Sequence, residues 1–212
     1  MNRPLVVALS GASGAPYAHR LLDVLRQLGH DVHLTISPSA CLVFRQELGI
    51  ALDVNHFDPA DLKLSERLNP HPHDERPARL GTITYHHHAD FMAPIASGSF
   101  LTGGMVICPC SGGTLSGVAT AASGNLIQRA ADVHLKEHRR LILVPRETPL
   151  SLIQLENMTK VVQAGAVLLP AMPGWYHGVQ STMDLVDFIV ARILDQLGVS
   201  HRLMRRWGAE TT

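Results

Sequence analysis

The segment from Cys108 to Leu150, which opens CPCSGGTL and closes PRETPL, concentrates residue types that can handle a phosphorylated ligand. Its turn Ser111-Gly112-Gly113-Thr114 offers hydroxyls and backbone N–H groups, as anion-cradling turns do. Arg129 and Lys136 follow seven residues apart, so on a helix they fall nearly on one stripe. The apolar run Leu141–Val144 then delivers Arg146 and Glu147 to a strand's carboxyl end, where open α/β sheets bind ligands. Cations and one acid converging there would suit chemistry on a phosphorylated substrate, the acid shuttling protons beside a departing phosphate. Singly, each cation reads as a solvated surface charge, and Glu147 reads as an ion-pair partner of Arg146.

Other candidates lie outside that segment. Gly11-Ala12-Ser13-Gly14-Ala15 follows an apolar run, and its glycines let backbone approach a ligand at a helix amino end that attracts phosphate. It is not GxGxxG, which favours a mononucleotide over a dinucleotide, and alone it fits a tight turn without ligand equally well. Ser37 ends a second strand pattern and serves either as a ligand contact or as the N-cap of the helix behind it. Phe91 is an isolated aromatic before the small-residue loop Ala96-Ser97-Gly98-Ser99, and such a residue usually belongs to a core. Arg192 sits in the apolar stretch Leu185–Leu194, which calls for an anionic partner, and Tyr176 offers a hydroxyl after the Pro173-Gly174-Trp175 turn.

The elements that position these residues alternate between strand and helix. Pro4–Leu9, Asp31–Ser37, Gly104–Cys108, Arg140–Pro145 and Ala166–Leu169 read as strands, several of them continuous apolar runs of the buried parallel type. Helices are expected after Pro16, over Ser39–Leu48, Thr114–Ala121, Asn125–His138, Ser151–Ala164 and Thr182–Leu197. This order predicts a doubly wound parallel sheet in a three-layer α/β/α sandwich, one domain over residues 1–212. Residues 53–84, rich in Pro, His, Asp and Arg, read as a surface excursion with at most one short helix near Pro59–Leu68.

Composition narrows the class. The 212 residues are 46% hydrophobic, and 18 basic and 18 acidic residues cancel, so no global field favours nucleic acid or a membrane surface. No apolar run approaches a membrane span. Three cysteines, Cys41, Cys108 and Cys110, without a secretory signal point to a reducing cytoplasm, and Cys108-Pro-Cys110 reads as two small buried side chains. His86-His87-His88, with His71 and His73, lacks metal-ligand spacing and reads as a solvated loop, so no metal site is expected. The basic tail His201–Arg206 lacks aromatic interleaving for nucleic acid, and residues 198–212 are expected to pack on a neighbouring subunit.

The motifs GASGA at Gly11–Ala15, CSGGTL, RAADV, LKE, PRETPL and LENM, followed by Tyr176 and the closing RWG, resemble the flavin prenyltransferases of the UbiX type. The similarity runs along nearly the whole chain and is weakest between Asp53 and Thr84. It implies a flavodoxin-like fold and an enzyme that transfers a dimethylallyl group from dimethylallyl phosphate to reduced FMN without a metal. Bonds to a central-ring nitrogen and to the adjacent aromatic carbon would close a new ring, giving prenylated FMN, the cofactor of UbiD-type decarboxylases. It also implies a homododecamer.

By this resemblance Gly11, Ala12, Ser13, Ser37, Ser111, Gly112, Gly113, Thr114 and Arg146 contact FMN. Tyr176 and Arg192 bind dimethylallyl phosphate, Arg129 and Lys136 help to hold its phosphate, and Glu147 carries protons. Ser97 is expected near the reacting groups, across a subunit boundary. Phe91 stands where some relatives carry a tryptophan against the flavin, and Gly112 where others carry a larger residue. Two alternatives stay open: a flavin-dependent cysteine decarboxylase, which would need an Asn-rich turn and a PxMNxxMW segment, and a non-catalytic FMN-binding or delivery protein, which would not need Lys136, Tyr176 and Arg192.

Overall fold

The longest aliphatic runs of the sequence become the middle of a sheet, because strands covered on both faces can carry no polar side. In the computed structural model, which describes residues 3–65 and 79–204, the elements run β1 (Leu5–Leu9), α1 (Ala15–Gln27), β2 (Val32–Ile36), α2 (Pro38–Leu48) and β3 (Ile83–His87). They continue with β4 (Gly104–Cys110), α3 (Gly112–Ala119), α4 (Leu126–Lys136), β5 (Leu141–Pro145), α5 (Leu152–Gln163), β6 (Val167–Leu168) and α6 (Thr182–Leu197). Short 3-10 turns occupy Pro59–Leu62 and Pro94–Ala96. Every residue of β1, β4 and β5 is buried.

The six strands lie in the order β3-β2-β1-β4-β5-β6, and every pair is parallel. Side chains alternate between two cores, as the period of a strand requires. Val7, Leu34 and Ile142 face α1, α2 and α6, while Val6, Met105 and Leu143 face α3, α4 and α5. Each such aliphatic side chain contributes about 1.5–3 kcal/mol when fully buried. The result is the expected three-layer, doubly wound sandwich.

The 53–84 region departs from the expectation. Leu62 is fully buried, Tyr85 Oη donates to the Val54 carbonyl at 2.8 Å, and the Phe57 and Tyr85 rings lie 4.5 Å apart. The excursion is thus docked on the core through its first part, and Ile83–His87 forms the edge strand β3. His86 and His87 belong to that strand and are half-buried, not part of a solvated loop. His33 Nδ1 and His86 Nε2 are 2.7 Å apart with ring planes 6° apart and centroids separated by 5.0 Å. That separation is the N···N distance plus one ring radius on each side, so the rings are joined edge to edge by an in-plane hydrogen bond. His71 and His73 and the far end of the expected short helix lie outside the described residues.

The start of the tail packs on its own chain. Gly198 caps α6 at φ 70°, the His201 Nε2 lies 3.2 Å from Asp195 Oδ1, and Leu203 rests on the first core. Residues 205–212, including Arg206 and the closing RWG, lie outside the described residues.

Candidate functional site

Chain direction turns outward between β1 and β4: β2 and β3 are laid down on one side, β5 and β6 on the other. In such sheets the crevice beyond the carboxyl ends at that switch point receives ligands. The turns after β1 and β4 meet there, and Ser10 joins them. Its Oγ donates to the Pro109 carbonyl at 2.8 Å and accepts from the Ser111 N–H at 2.8 Å, in a side chain only 1% exposed. Gly11 is obligatory in this junction, since an added Cβ would come within 2.3 Å of Ser39 Oγ at the start of α2.

The amino end of α1 is used differently from the expectation. The Gly14 and Ala15 N–H groups donate to Glu47 Oε2 at 2.9 and 2.8 Å, so an exposed carboxylate of the chain's own α2 takes the position expected for a phosphate. Desolvation alone would raise the Glu47 carboxyl; the Ser13 side chain, the two amides and the charge of Arg146 outweigh it and hold the group below its ordinary range. Glu47 was invisible to motif reading because it stands 33 residues from Gly14 and belongs to no local pattern.

Arg146 leaves β5 beside this junction. Its Nε donates to the Ser13 carbonyl at 3.1 Å. That bond fixes the guanidinium, while its two terminal nitrogens have no protein acceptor among the described residues. Arg146 and Glu147 line a hollow of about 60 Å³ with Met158, Pro170 and Met172. Glu147 does not pair with Arg146; it accepts from the Thr148 N–H at 3.1 Å. Ser37 caps α2, accepting from the Ala40 N–H at 3.2 Å, and Ser111 caps α3, accepting from the Thr114 N–H at 3.3 Å. A Cβ on Gly113 would meet nothing within 4 Å, so the backbone there is open to a ligand. Thus Gly11, Ala12, Ser13, Ser37, Ser111–Thr114, Arg146 and Glu147 share one edge, with donors left over for an anion.

Cys108 and Cys110 are buried at the end of β4. Burial pushes the Cys108 thiol far up and the Cys110 thiol up to about 12, which leaves neither a nucleophile.

Ser97, Arg129 and Lys136 lie elsewhere, and Phe91 follows the carboxyl end of the edge strand β3 by four residues. Arg129 Nε donates to the Ala96 carbonyl at 3.1 Å and its Nη1 to Asp132 at 3.0 Å; Lys136 Nζ donates to Glu137 at 2.6 Å. Ser97 is exposed next to Gly98, whose added Cβ would lie 3.1 Å from Lys136 Nζ. Phe91 is 49% exposed, so it is not a core residue. Because α4 leads into β5, its last residue stands by the amino end of that strand, where the Met105 N–H bonds the Arg140 carbonyl. The length of β5 separates Arg140 from Arg146 by roughly 20 Å. The expected convergence of all cations on one edge therefore does not occur within one chain.

Tyr176 and Arg192 form a third group. The Tyr176 ring meets Phe188 edge-on at 5.8 Å, and Arg192 follows Phe188 by four residues, which puts it on the same face of α6. Arg20 Nε bonds Asp187 at 2.7 Å and pins that helix to α1. Arg192 has the anionic partner its setting called for, Asp195 at 2.8 Å, but the pair is solvent-facing.

Comparison with known proteins agrees with this geometry. The Flavoprotein family model matches residues 1–194. A flavin prenyltransferase UbiX of Pseudomonas aeruginosa is 50% identical over 208 residues, covering 97% of this chain and 94% of the relative. The solved structure of AnUbiX (PadA1) in complex with FMN and dimethylallyl pyrophosphate superposes with a TM-score of 0.82 at 35% identity, with full coverage of both chains. A dodecameric FMN-dependent UbiX-like decarboxylase from Escherichia coli O157:H7 gives a TM-score of 0.80 at 37% identity, covering 97% of this chain and all of the other. With half its residues shared with the Pseudomonas aeruginosa relative over almost its entire length, the chain belongs to the flavin prenyltransferase UbiX family.

Proposed function

We propose that the protein transfers a dimethylallyl group from dimethylallyl phosphate to reduced FMN. The observation that carries the reading is the junction at the carboxyl edge: two turns locked by Ser10, an open Gly113 and an Arg146 guanidinium aimed by Ser13 with its terminal nitrogens unspent. These residues fit FMN, because they offer close backbone approach together with a fixed cation. Reduced FMN, the acceptor substrate, supplies the electron pair that attacks the allylic carbon.

The chain's own residues do the rest. Gly11–Ser13, Ser37, Ser111–Thr114 and Arg146 hold FMN, and Phe91 presents its face to the flavin with less area than a tryptophan would. Arg129, Lys136, Tyr176 and Arg192 hold the phosphate of the donor as its carbon–oxygen bond breaks, so the leaving group departs with its charge already compensated. Glu147, with an exposed carboxylate beside Arg146, takes up a proton. Since Lys136 and Arg146 stand at opposite ends of β5, Lys136 and the flavin group meet only where two copies of the chain adjoin. That is in keeping with the dodecameric assembly of the Escherichia coli relative. The product, prenylated FMN, would pass to a UbiD-type decarboxylase in the cytoplasm. Among the described residues no helix is long and apolar enough to cross a membrane.

The test is anaerobic incubation of the purified protein with reduced FMN and dimethylallyl phosphate, followed by mass measurement of the flavin. A mass raised by one five-carbon prenyl unit supports the reading. An unchanged flavin mass with FMN bound, and with the diphosphate also tried, sinks it.

A further inference from the structure

One polar group beside the flavin turns has a fixed orientation and no partner. Gln154 is the third residue of α5, and its backbone N–H donates to Ser151 Oγ at 3.3 Å while its own Oε1 accepts from the Ser151 N–H at 2.8 Å. This reciprocal capping box decides which end of the carboxamide points where. An N–H donor requires the oxygen, so the NH₂ must face the other way. That other way is α3: a Cβ built on Gly112 would lie 3.2 Å from Gln154 Nε2. Among the described residues no acceptor answers this half-buried NH₂.

The glycine at 112 is what lets the group in. A side chain there would crowd Gln154 Nε2 to less than an ordinary contact distance. Helix α5 therefore projects a rigid donor over the Ser111–Gly113 backbone at no cost in side-chain freedom, because the cap already holds the side chain.

We infer that Gln154 is an additional FMN-binding residue, its carboxamide NH₂ donating to an oxygen of the bound FMN at the Ser111–Thr114 turn. The inference rests on the reading that this turn contacts FMN. The acceptor is either a phosphate oxygen or a ring carbonyl, the same hydrogen-bonding chemistry in both cases.

Three variants separate the donor from the cap. Gln154→Glu keeps the capping box and replaces the donor; Gln154→Met removes both; Ser151→Ala weakens the cap and keeps the donor. Titration of each intact protein with FMN and with riboflavin, beside a thermal melt, reads the two roles separately. The expected result is an FMN Kd raised by about tenfold in both Gln154 variants and unchanged in Ser151→Ala. The Tm should fall in Gln154→Met and Ser151→Ala but not in Gln154→Glu. If riboflavin shares the loss, the acceptor is on the ring; if only FMN loses affinity, it is the phosphate. An FMN Kd that follows the Tm instead of the donor, or that stays within twofold of wild type in Gln154→Glu, overturns the inference. Failure of the wild-type protein to bind FMN at all would instead overturn the functional reading beneath it.

Discussion

The carboxyl edge of the sheet and the flanks along α4 and α6, which cover opposite faces of that sheet, are held in place by different means. At the edge, Ser10, Glu47 and Arg146 bridge segments more than thirty residues apart, and the bonds run between side chains and backbone. On the flanks, Lys136 pairs with the next residue and Arg192 with an acid three residues on, both through partly exposed side chains, while the half-buried Arg129 pairs with Asp132 and also donates to the Ala96 carbonyl. Exposed pairs of that kind are worth about 0–1 kcal/mol and exchange readily for a better anion. The edge is thus built before any ligand arrives. In the proposed reaction the loosely neutralised cations of the flanks would exchange their carboxylates for a phosphate brought by another copy of the chain. On that proposal one half of the site is a property of the chain, and the other is a property of the assembly.

The contrast predicts which substitutions unfold and which only weaken binding. Ser10→Ala takes the acceptor from the Ser111 N–H and leaves the Pro109 carbonyl only the backbone N–H of residue 10, at 3.3 Å, and should cost about 1–3 kcal/mol of stability together with FMN affinity. Denaturant unfolding and FMN titration check this; a stable variant with normal FMN binding would show that the edge does not depend on that junction. On the flank, Arg192→Ala should leave stability and FMN affinity nearly unchanged. It should weaken dimethylallyl phosphate tenfold to a hundredfold, roughly 1.5–3 kcal/mol, with Tyr176→Phe costing about 0.5–1.5 kcal/mol. Separate titrations of the two ligands decide it, and a loss of FMN with the phosphate ligand retained would invert the partition.

The smallest effect belongs to Glu47. Its carboxyl is held below the ordinary range in the folded chain, so its stabilisation is present at neutral pH and is lost as pH falls through the folded value. Glu47→Gln should therefore lower stability by about 1 kcal/mol at pH 7. The gap from wild type should close on acidification, from about pH 4.5 downward. Melts across pH measure it, and a gap that stays constant into acid would mean that the charge of Glu47 contributes nothing.

Much of this architecture is legible in the residues. The aliphatic runs at Leu5–Leu9 and Leu141–Pro145 have no polar side, so they read directly as central strands, and α6 begins and ends where Ser181 and Gly198 say it should. The strand Ile83–His87 was hidden because an edge strand is half-covered, and its histidines carry no apolar period; only the bond across to His33 shows why they suit the sheet. Glu47 was hidden because its partners are distant in sequence. The separation of Lys136 from Arg146 had a signal that motif spacing obscures: a helix leading into a strand ends at that strand's amino end, so Lys136 and Arg146 had to stand at opposite edges.

The claim that two copies share one site is tested most directly by complementation. Lys136→Ala and Arg146→Ala each remove one half, and each alone should be inactive in FMN prenylation. Co-expressed and purified as mixed oligomers, they should regain activity, because an interface that takes Arg146 from one variant and Lys136 from the other is intact. Mixed oligomers of confirmed composition that stay as inactive as either parent would place both residues in the site of a single chain and contradict the account.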